Sequence, residues 1–91
     1  MIEYNNVPHE FCDPIYMSIL EEPVLLPDMD IFVEKSVIKR HLLTNEENPF
    51  NRKKLTILQL EEYNIKFENL IKLNNFKDKL NKWKEDYRNN L

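Results

Sequence analysis

The sequence predicts a small α+β domain built as loop, antiparallel β-hairpin, helix, loop and C-terminal helix. Three observations predict it. The stretch "FCDPIYMSILEEPVLLP" (11–27) is rich in apolar residues, yet prolines at 14, 23 and 27 cut it and exclude one long helix. Two short runs of strand-favouring residues flank the turn sequence "PDMD" (27–30). Apolar residues then recur at helical spacing twice, just after residue 34 and again toward the C-terminus.

Each element follows in order. Residues 1–6 read as a flexible lead. "VPHEFCDPIYMSIL" (7–20) reads as an extended, turn-rich loop with a short helical turn near Ser18. Val24–Leu26 is a strand closed by Pro27, and Ile31–Val33 is its returning partner. A helix runs from Glu34 or Ser36 to Leu43, because Val37, Ile38, Leu42 and Leu43 keep helical spacing. "TNEENPFN" (44–51) breaks it and forms a second loop. Thr56 with Gln59 three residues later matches a capping box, so a short helical turn follows. Asn64 is expected to cap the last helix, which runs to about Tyr87. The chain contains no glycine, which leaves Asn and Asp to fill any left-handed backbone positions.

Composition narrows the function classes. With 91 residues, 42% of them hydrophobic, the chain can bury a modest core but not a deep catalytic cavity. One cysteine and two histidines are too few for a zinc finger or a disulfide framework, so neither metal nor cofactor is expected. A lone free cysteine fits a reducing compartment. No apolar run reaches membrane-spanning length, and nothing at the start reads as a signal peptide, so no membrane partner is expected. Formal net charge is −3. Residues 1–50 hold ten acidic and three basic side chains, residues 51–91 six and ten, but the basic half lacks interleaved exposed aromatics. Nucleic acid is therefore not expected as a partner.

The two loops around the central helix carry the functional signal. Both are anchored by proline and both hold large apolar residues, Ile15 and Met17 in the first, Pro49 and Phe50 in the second. Such residues either close a small core or form a binding surface on a rigid scaffold; their presence in both loops favours the surface.

"FCDPIYMSILEEPVLLP", "EKSVIKRHLL" (34–43) and "NPFNRKKLT" (48–56), with an apolar helix after them, together resemble a U-box, the ubiquitin-ligase relative of the RING finger. "DPI" (13–15), "PV" (23–24), "HLL" (41–43) and above all "PFNR" (49–52) are most similar to the C-terminal U-box of ubiquitin conjugation (chain-elongation) factors. The resemblance covers residues 7–78 as the domain, with 79–91 as a helical extension. It implies a RING-like fold without zinc: two loops around a short hairpin and a central helix, in which a polar network replaces the metal. Asp13, Glu34, Lys35 and Asn64, each in a loop or at an expected element end, are the members proposed for that network.

The resemblance also implies a function, that of a ubiquitin ligase or chain-elongation module. Such a module recruits a ubiquitin-charged conjugating enzyme and promotes transfer to a lysine of an already ubiquitinated substrate, with no covalent intermediate of its own. Ile15 stands at the family's main apolar contact to the conjugating enzyme, with Met17 two residues on and Pro49 and Phe50 in the second loop. His41 either contacts the enzyme from the central helix or is a surface histidine steadied at a helix C-terminus. Arg52 matches the cation that holds conjugating enzyme and ubiquitin together; the alternative is an ordinary pairing with Glu46 or Glu47. Cys12 lacks a basic neighbour in sequence and reads as a packing thiol, not a nucleophile. The implied setting is cytoplasmic or nuclear, in protein degradation, and the implied state is a monomer. Two further readings are a non-catalytic interaction U-box and a splicing-associated U-box adaptor.

The sequence departs from the family pattern in three places. Asp28, Met29 and Asp30 occupy a hairpin turn that usually holds glycine or small residues. Asn48 replaces a frequent Asp, and Tyr63 a usual Pro. Finally, Leu73, Phe76, Leu80, Trp83 and Tyr87 form a heptad-like stripe. Packing onto the domain is the first reading of it, dimerisation or docking the second.

Overall fold

Pro23 and Pro27 delimit a strand whose alternating residues face two different cores. The computed structural model describes residues 2–91. Strand β1 (Pro23–Leu26) pairs antiparallel with β2 (Ile31–Glu34) in the register Pro23↔Glu34, Val24↔Val33, Leu25↔Phe32 and Leu26↔Ile31. Successive side chains in a strand point to opposite faces, so Val24, Leu26, Ile31 and Val33 share one face, Leu25 and Phe32 the other. The first face packs on Ile38 and Leu42 of α1 (Lys35–Thr44), on Leu55, and on Leu60 of α2 (Ile57–Ile65). Across the second face, Phe32 joins Phe11, Leu20, and the side chains of Phe76 and Leu80 from α3 (Phe67–Asn89). Phe32 and Phe76 stack with ring centroids 3.9 Å apart. The hairpin is a septum, and β1 is buried along its whole length because both faces are covered.

Both strands run one residue beyond the predicted bounds, and α1 spans the predicted segment. The capping box is present: Thr56 Oγ1 accepts from the Gln59 N–H at 3.1 Å, and Gln59 Oε1 accepts from the Thr56 N–H at 3.0 Å. It opens a helix of 9 residues, not a single turn. The short helical turn expected near Ser18 lies instead at His9–Phe11.

Asn64 does not cap the last helix. It lies inside α2, buried, and grips the backbone of β1. Its Oδ1 accepts from the Leu25 N–H at 2.7 Å, while Nδ2 donates to the Leu25 and Leu60 carbonyls, both at 2.9 Å. The physical reason is the two-stranded sheet: the edge of β1 away from β2 is buried, and its peptide groups need a partner in place of water. A side-chain amide, with one acceptor and one donor group, supplies what a third strand would supply. The start of α3 follows Lys66, whose extended backbone turns the corner without a side-chain cap. From the first turn of α3, Asn69 Nδ2 reaches back 2.9 Å to the Tyr63 carbonyl near the end of α2.

The stripe along α3 packs onto its own chain. Leu73, Phe76 and Leu80 are buried. Trp83 packs on Phe11 at 6.1 Å between centroids, and Tyr87 on Tyr4 at 5.1 Å. The Tyr87 hydroxyl also donates to the Glu3 carbonyl and accepts from the Asn5 N–H. Residues 3–5 of the lead thus lie against α3; Met1 falls outside the described residues.

Candidate functional site

The two proline loops are built on one template, displaced by thirty-five positions along the chain. Loop 1 is closed by a bridge between Cys12 and Ile19, loop 2 by a bridge between Glu47 and Lys54. Outside each bridge a further backbone bond closes the base, Leu20 N–H to the Phe11 carbonyl and Leu55 N–H to the Glu46 carbonyl. Inside, Asp13 N–H donates to the Ser18 carbonyl and Met17 N–H to the Asp13 carbonyl. Asn48 N–H and Arg52 N–H repeat these bonds with the carbonyls of Lys53 and Asn48.

The side chain before each proline organises its loop. Asp13 Oδ2 accepts from the N–H groups of Ile15 and Tyr16 at 3.0 and 2.8 Å. Asn48 Oδ1 accepts from those of Phe50 and Asn51 at 2.9 and 3.4 Å. Both are Asx turns, in which a short side-chain oxygen takes over donors that a tight loop cannot pair internally. Both residues are buried.

The remaining side-chain atom tells the loops apart. Asp13 Oδ1 accepts from the Glu34 N–H at 2.9 Å, tying loop 1 to the start of α1. Asn48 Nδ2 donates to the Pro27 carbonyl at 3.4 Å, tying loop 2 to the end of β1. A donor faces the side chain in the first case and an acceptor in the second. The contacts therefore call for carboxylate at 13, where both oxygens accept, and suit an amide at 48, the departure noted above.

Glu34 and Lys35 extend the first tie. The Glu34 carboxylate accepts from the N–H groups of Glu21 and Glu22 at 2.7 and 2.9 Å. Lys35 Nζ bonds Glu22 Oε1 at 3.3 Å. Asp13, Glu34 and Lys35 thus form one connected set around loop 1, whereas Asn64 acts apart from them, on β1. Among the described residues no group of three His, Cys, Asp or Glu side chains is arranged to hold a metal ion.

On this frame the residues expected to make contacts point outward. Ile15 is 37% exposed, Met17 60% and Phe50 41%; Pro49 is half-buried. Tyr16, which sequence reasoning passed over, is as exposed as Met17. Together these residues give loops 1 and 2 an exposed apolar surface, of the kind that marks interaction sites. His41 is half-buried on α1, and its Nε2 lies 3.0 Å from the Glu47 carbonyl. A carbonyl only accepts, so Nε2 carries the proton and the ring ties α1 to loop 2. His41 thus has a local role that neither of the two sequence readings contained.

Arg52 is exposed, and none of the ion pairs among the described residues involves it; the alternative pairing with Glu46 or Glu47 is not formed. Its backbone is left-handed, φ 61°, as is that of Met17, φ 59°, at the matching position of loop 1. Asn6, Asp28 and Asp30 fill left-handed positions as the composition suggests, but Met17 and Arg52 break that expectation. A side chain with a Cβ pays roughly 1–2 kcal/mol in this region, and such strain concentrates where the side chain has work beyond the fold.

Besides Tyr16, sequence reasoning gave no role to two residues that hold the loops in place. Asn48 was legible in principle, because "DPIYM" and "NPFNR" both begin with Asx-Pro. Lys84, on α3, had no such signal; its Nζ donates to the Leu20 carbonyl at 2.8 Å, just beyond loop 1. Cys12 is half-buried at the edge of loop 1, with a free thiol.

Comparison with known proteins agrees with this architecture. The family model for the U-box domain matches residues 7–89, to the end of α3. The chain is 43% identical over 56 residues to the E4 ubiquitin-protein ligase UFD2 of Saccharomyces cerevisiae, covering 62% of this chain and 6% of that protein. It is 46% identical over 50 residues to the probable ubiquitin conjugation factor E4 of Arabidopsis thaliana, covering 55% of this chain and 5% of that one. For the ubiquitin conjugation factor E4 ufd-2 of Caenorhabditis elegans the figures are 48% over 54 residues, 59% and 5%. The chain thus matches only a small part of the length of these relatives. With the family model covering most of its residues, and with a hairpin, a central helix and two matched loops in place, the chain belongs to the U-box domain family.

Proposed function

We propose that this domain is the ligase module of a ubiquitin chain-elongation activity. It docks a ubiquitin-charged conjugating enzyme and promotes transfer of ubiquitin to a lysine of an already ubiquitinated substrate. The observation that carries this reading is the matched pair of loops, each braced by a buried Asx side chain, each presenting apolar residues to solvent. The names of the relatives supply the chemistry: one is called a ubiquitin-protein ligase, the others ubiquitin conjugation factors.

In this mechanism no residue of the chain becomes acylated. Ile15, Met17, Pro49 and Phe50 form the apolar contact with the conjugating enzyme, and His41 holds loop 2 in register with α1. Arg52, free of intramolecular ion pairs among the described residues, bridges the enzyme to the ubiquitin it carries. The thioester is then confined to orientations that an incoming amine can attack, so catalysis comes from lost freedom already supplied by binding. A planar guanidinium presents several fixed donors and can bond two proteins at once, which an ammonium does less well. The domain acts as a monomer in the cytoplasm or nucleus.

Arg52→Ala tests the mechanism. Both side chains have a Cβ, so the cost of the left-handed backbone is nearly unchanged. Affinity for the uncharged conjugating enzyme should stay within about 2-fold, while single-turnover discharge to free lysine falls at least ~10-fold, about 1.4 kcal/mol of transition-state stabilisation. Arg52→Lys should recover little of it. Equal discharge by all three proteins would remove Arg52 from the mechanism; wild-type discharge no faster than that of the charged enzyme alone would leave a non-activating interaction module.

A further inference from the structure

The second half of α3, which the sequence reading set outside the domain, touches both legs of loop 1. On the entering leg, Trp83 packs against Phe11. On the leaving leg, Lys84 Nζ bonds the Leu20 carbonyl at 2.8 Å and lies 3.7 Å from Glu21 Oε2. Phe11 and Leu20 are themselves the pair whose backbone bond closes the loop base. The Lys84 side chain is only 13% exposed, unusual for a lysine and far below every other lysine engaged in an ion pair here. Its stem is covered by the domain and its charge is spent on one carbonyl and one carboxylate. Loop 2 has no counterpart: at its base, Leu55 lies in the other core, away from α3.

We propose that Lys84 is a positioning residue for loop 1, setting the affinity for the conjugating enzyme from a site that never touches it. This rests on the function proposed above. The ammonium holds the Leu20 carbonyl, and with it the strand of chain between loop 1 and β1, while Glu34 holds the next two N–H groups from the other side. Loss of the ammonium frees one side of that grip. Loop 1 should then sample open conformations in which Ile15 and Met17 leave their places, while loop 2 and Arg52 stay as they were.

Lys84→Met keeps the apolar stem and removes the donor; Lys84→Arg keeps a donor. In the free full chain, the Asp13 and Met17 amides of Lys84→Met should exchange hydrogen about 10-fold faster, and the matching Asn48 and Arg52 amides at the wild-type rate. Affinity for the uncharged conjugating enzyme should fall about 2-fold, because binding weakens only by the fraction of chains whose loop 1 is open. Discharge at saturating conjugating enzyme should be unchanged, and Lys84→Arg should restore most of the affinity. Uniform acceleration in both loops, or no acceleration, would overturn the brace whatever the chain binds. Wild-type affinity in Lys84→Met with accelerated loop 1 amides would overturn its role in recruitment. Failure of the wild-type chain to bind any charged conjugating enzyme would instead remove the proposed function, and the exchange comparison would still judge the brace.

Discussion

Loop 1 and loop 2 share every internal backbone bond yet are held to the molecule by different chemistry. Loop 1 hangs on charged groups: the Asp13 carboxylate on the Glu34 N–H, the Glu34 carboxylate on two more N–H groups, and Lys84 on a carbonyl. Loop 2 hangs on the Asn48 amide, on Pro27, and the His41 ring, on Glu47, with one exposed ion pair, Lys53 to Asp28 at 3.7 Å, beside them. The difference teaches that one loop conformation can be specified locally while its position is specified elsewhere. Conformation comes from the Asx-Pro turn. Position comes from whatever backbone group happens to face the second side-chain atom, and that group is an N–H for one loop and a carbonyl for the other.

The comparison is easiest to break at Asp13. Asp13→Ala leaves three N–H groups without an acceptor, two of them inside loop 1 and one at the start of α1. A loss of roughly 3–5 kcal/mol is expected, a large fraction of the stability of a small domain, and thermal unfolding should show it. Asp13→Asn keeps the turn but points either an amide donor or nothing at the Glu34 N–H, so about 2 kcal/mol should go. If Asp13→Asn unfolds no earlier than wild type, the requirement for carboxylate at this position is wrong.

Next in size is the contact surface. Ile15→Ala should weaken binding of the conjugating enzyme by about 1–3 kcal/mol, as an interface anchor does, with the melting temperature little changed. A titration with the uncharged enzyme checks this, and normal binding or a collapsed fold would each remove Ile15 from the interface. Phe50→Ala in loop 2 gives the matched measurement.

The reciprocal exchange should cost less. Asn48→Asp keeps the acceptor for Phe50 and Asn51 but sets a second oxygen against the Pro27 carbonyl. The existing bond is long, 3.4 Å, so it contributes less than the 2.9 Å bond of Asp13, and about 1 kcal/mol is expected from chemical denaturation. A larger loss than for Asp13→Asn would invert the comparison.

The smallest effect concerns the left-handed residues. Met17→Gly relieves the Cβ strain but adds freedom to the unfolded chain, so stability should change by less than ~1 kcal/mol in either direction. Affinity for the conjugating enzyme should nevertheless drop, because an exposed contact is gone. Equal affinity would show that Met17 was only a loop residue.

Much of this molecule was legible before any coordinates. The prolines, the strand runs around "PDMD", and the capping box at Thr56 placed the hairpin, α1 and the start of α2 within a residue or so. These are signals that act over a few residues, through backbone geometry and local hydrogen bonding, and local signals survive in a sequence. The exposed apolar residues of both loops were legible for the same reason, since proline denies them a helix or sheet to hide in.

Asn64 marks the limit. As a sequence symbol it is a good helix cap; in the fold it serves the buried edge of β1, 39 positions away. Lys84 serves a carbonyl 64 positions away, and Asp13 and Asn48 differ only in what each meets across 21 positions. The sequence by itself determined which segments are strand, helix and proline loop, because those choices balance propensity, periodicity and turn chemistry within a short window. Only the tertiary structure decided which buried donor meets which acceptor, because a polar side chain has many equivalent partners until packing removes water and leaves one.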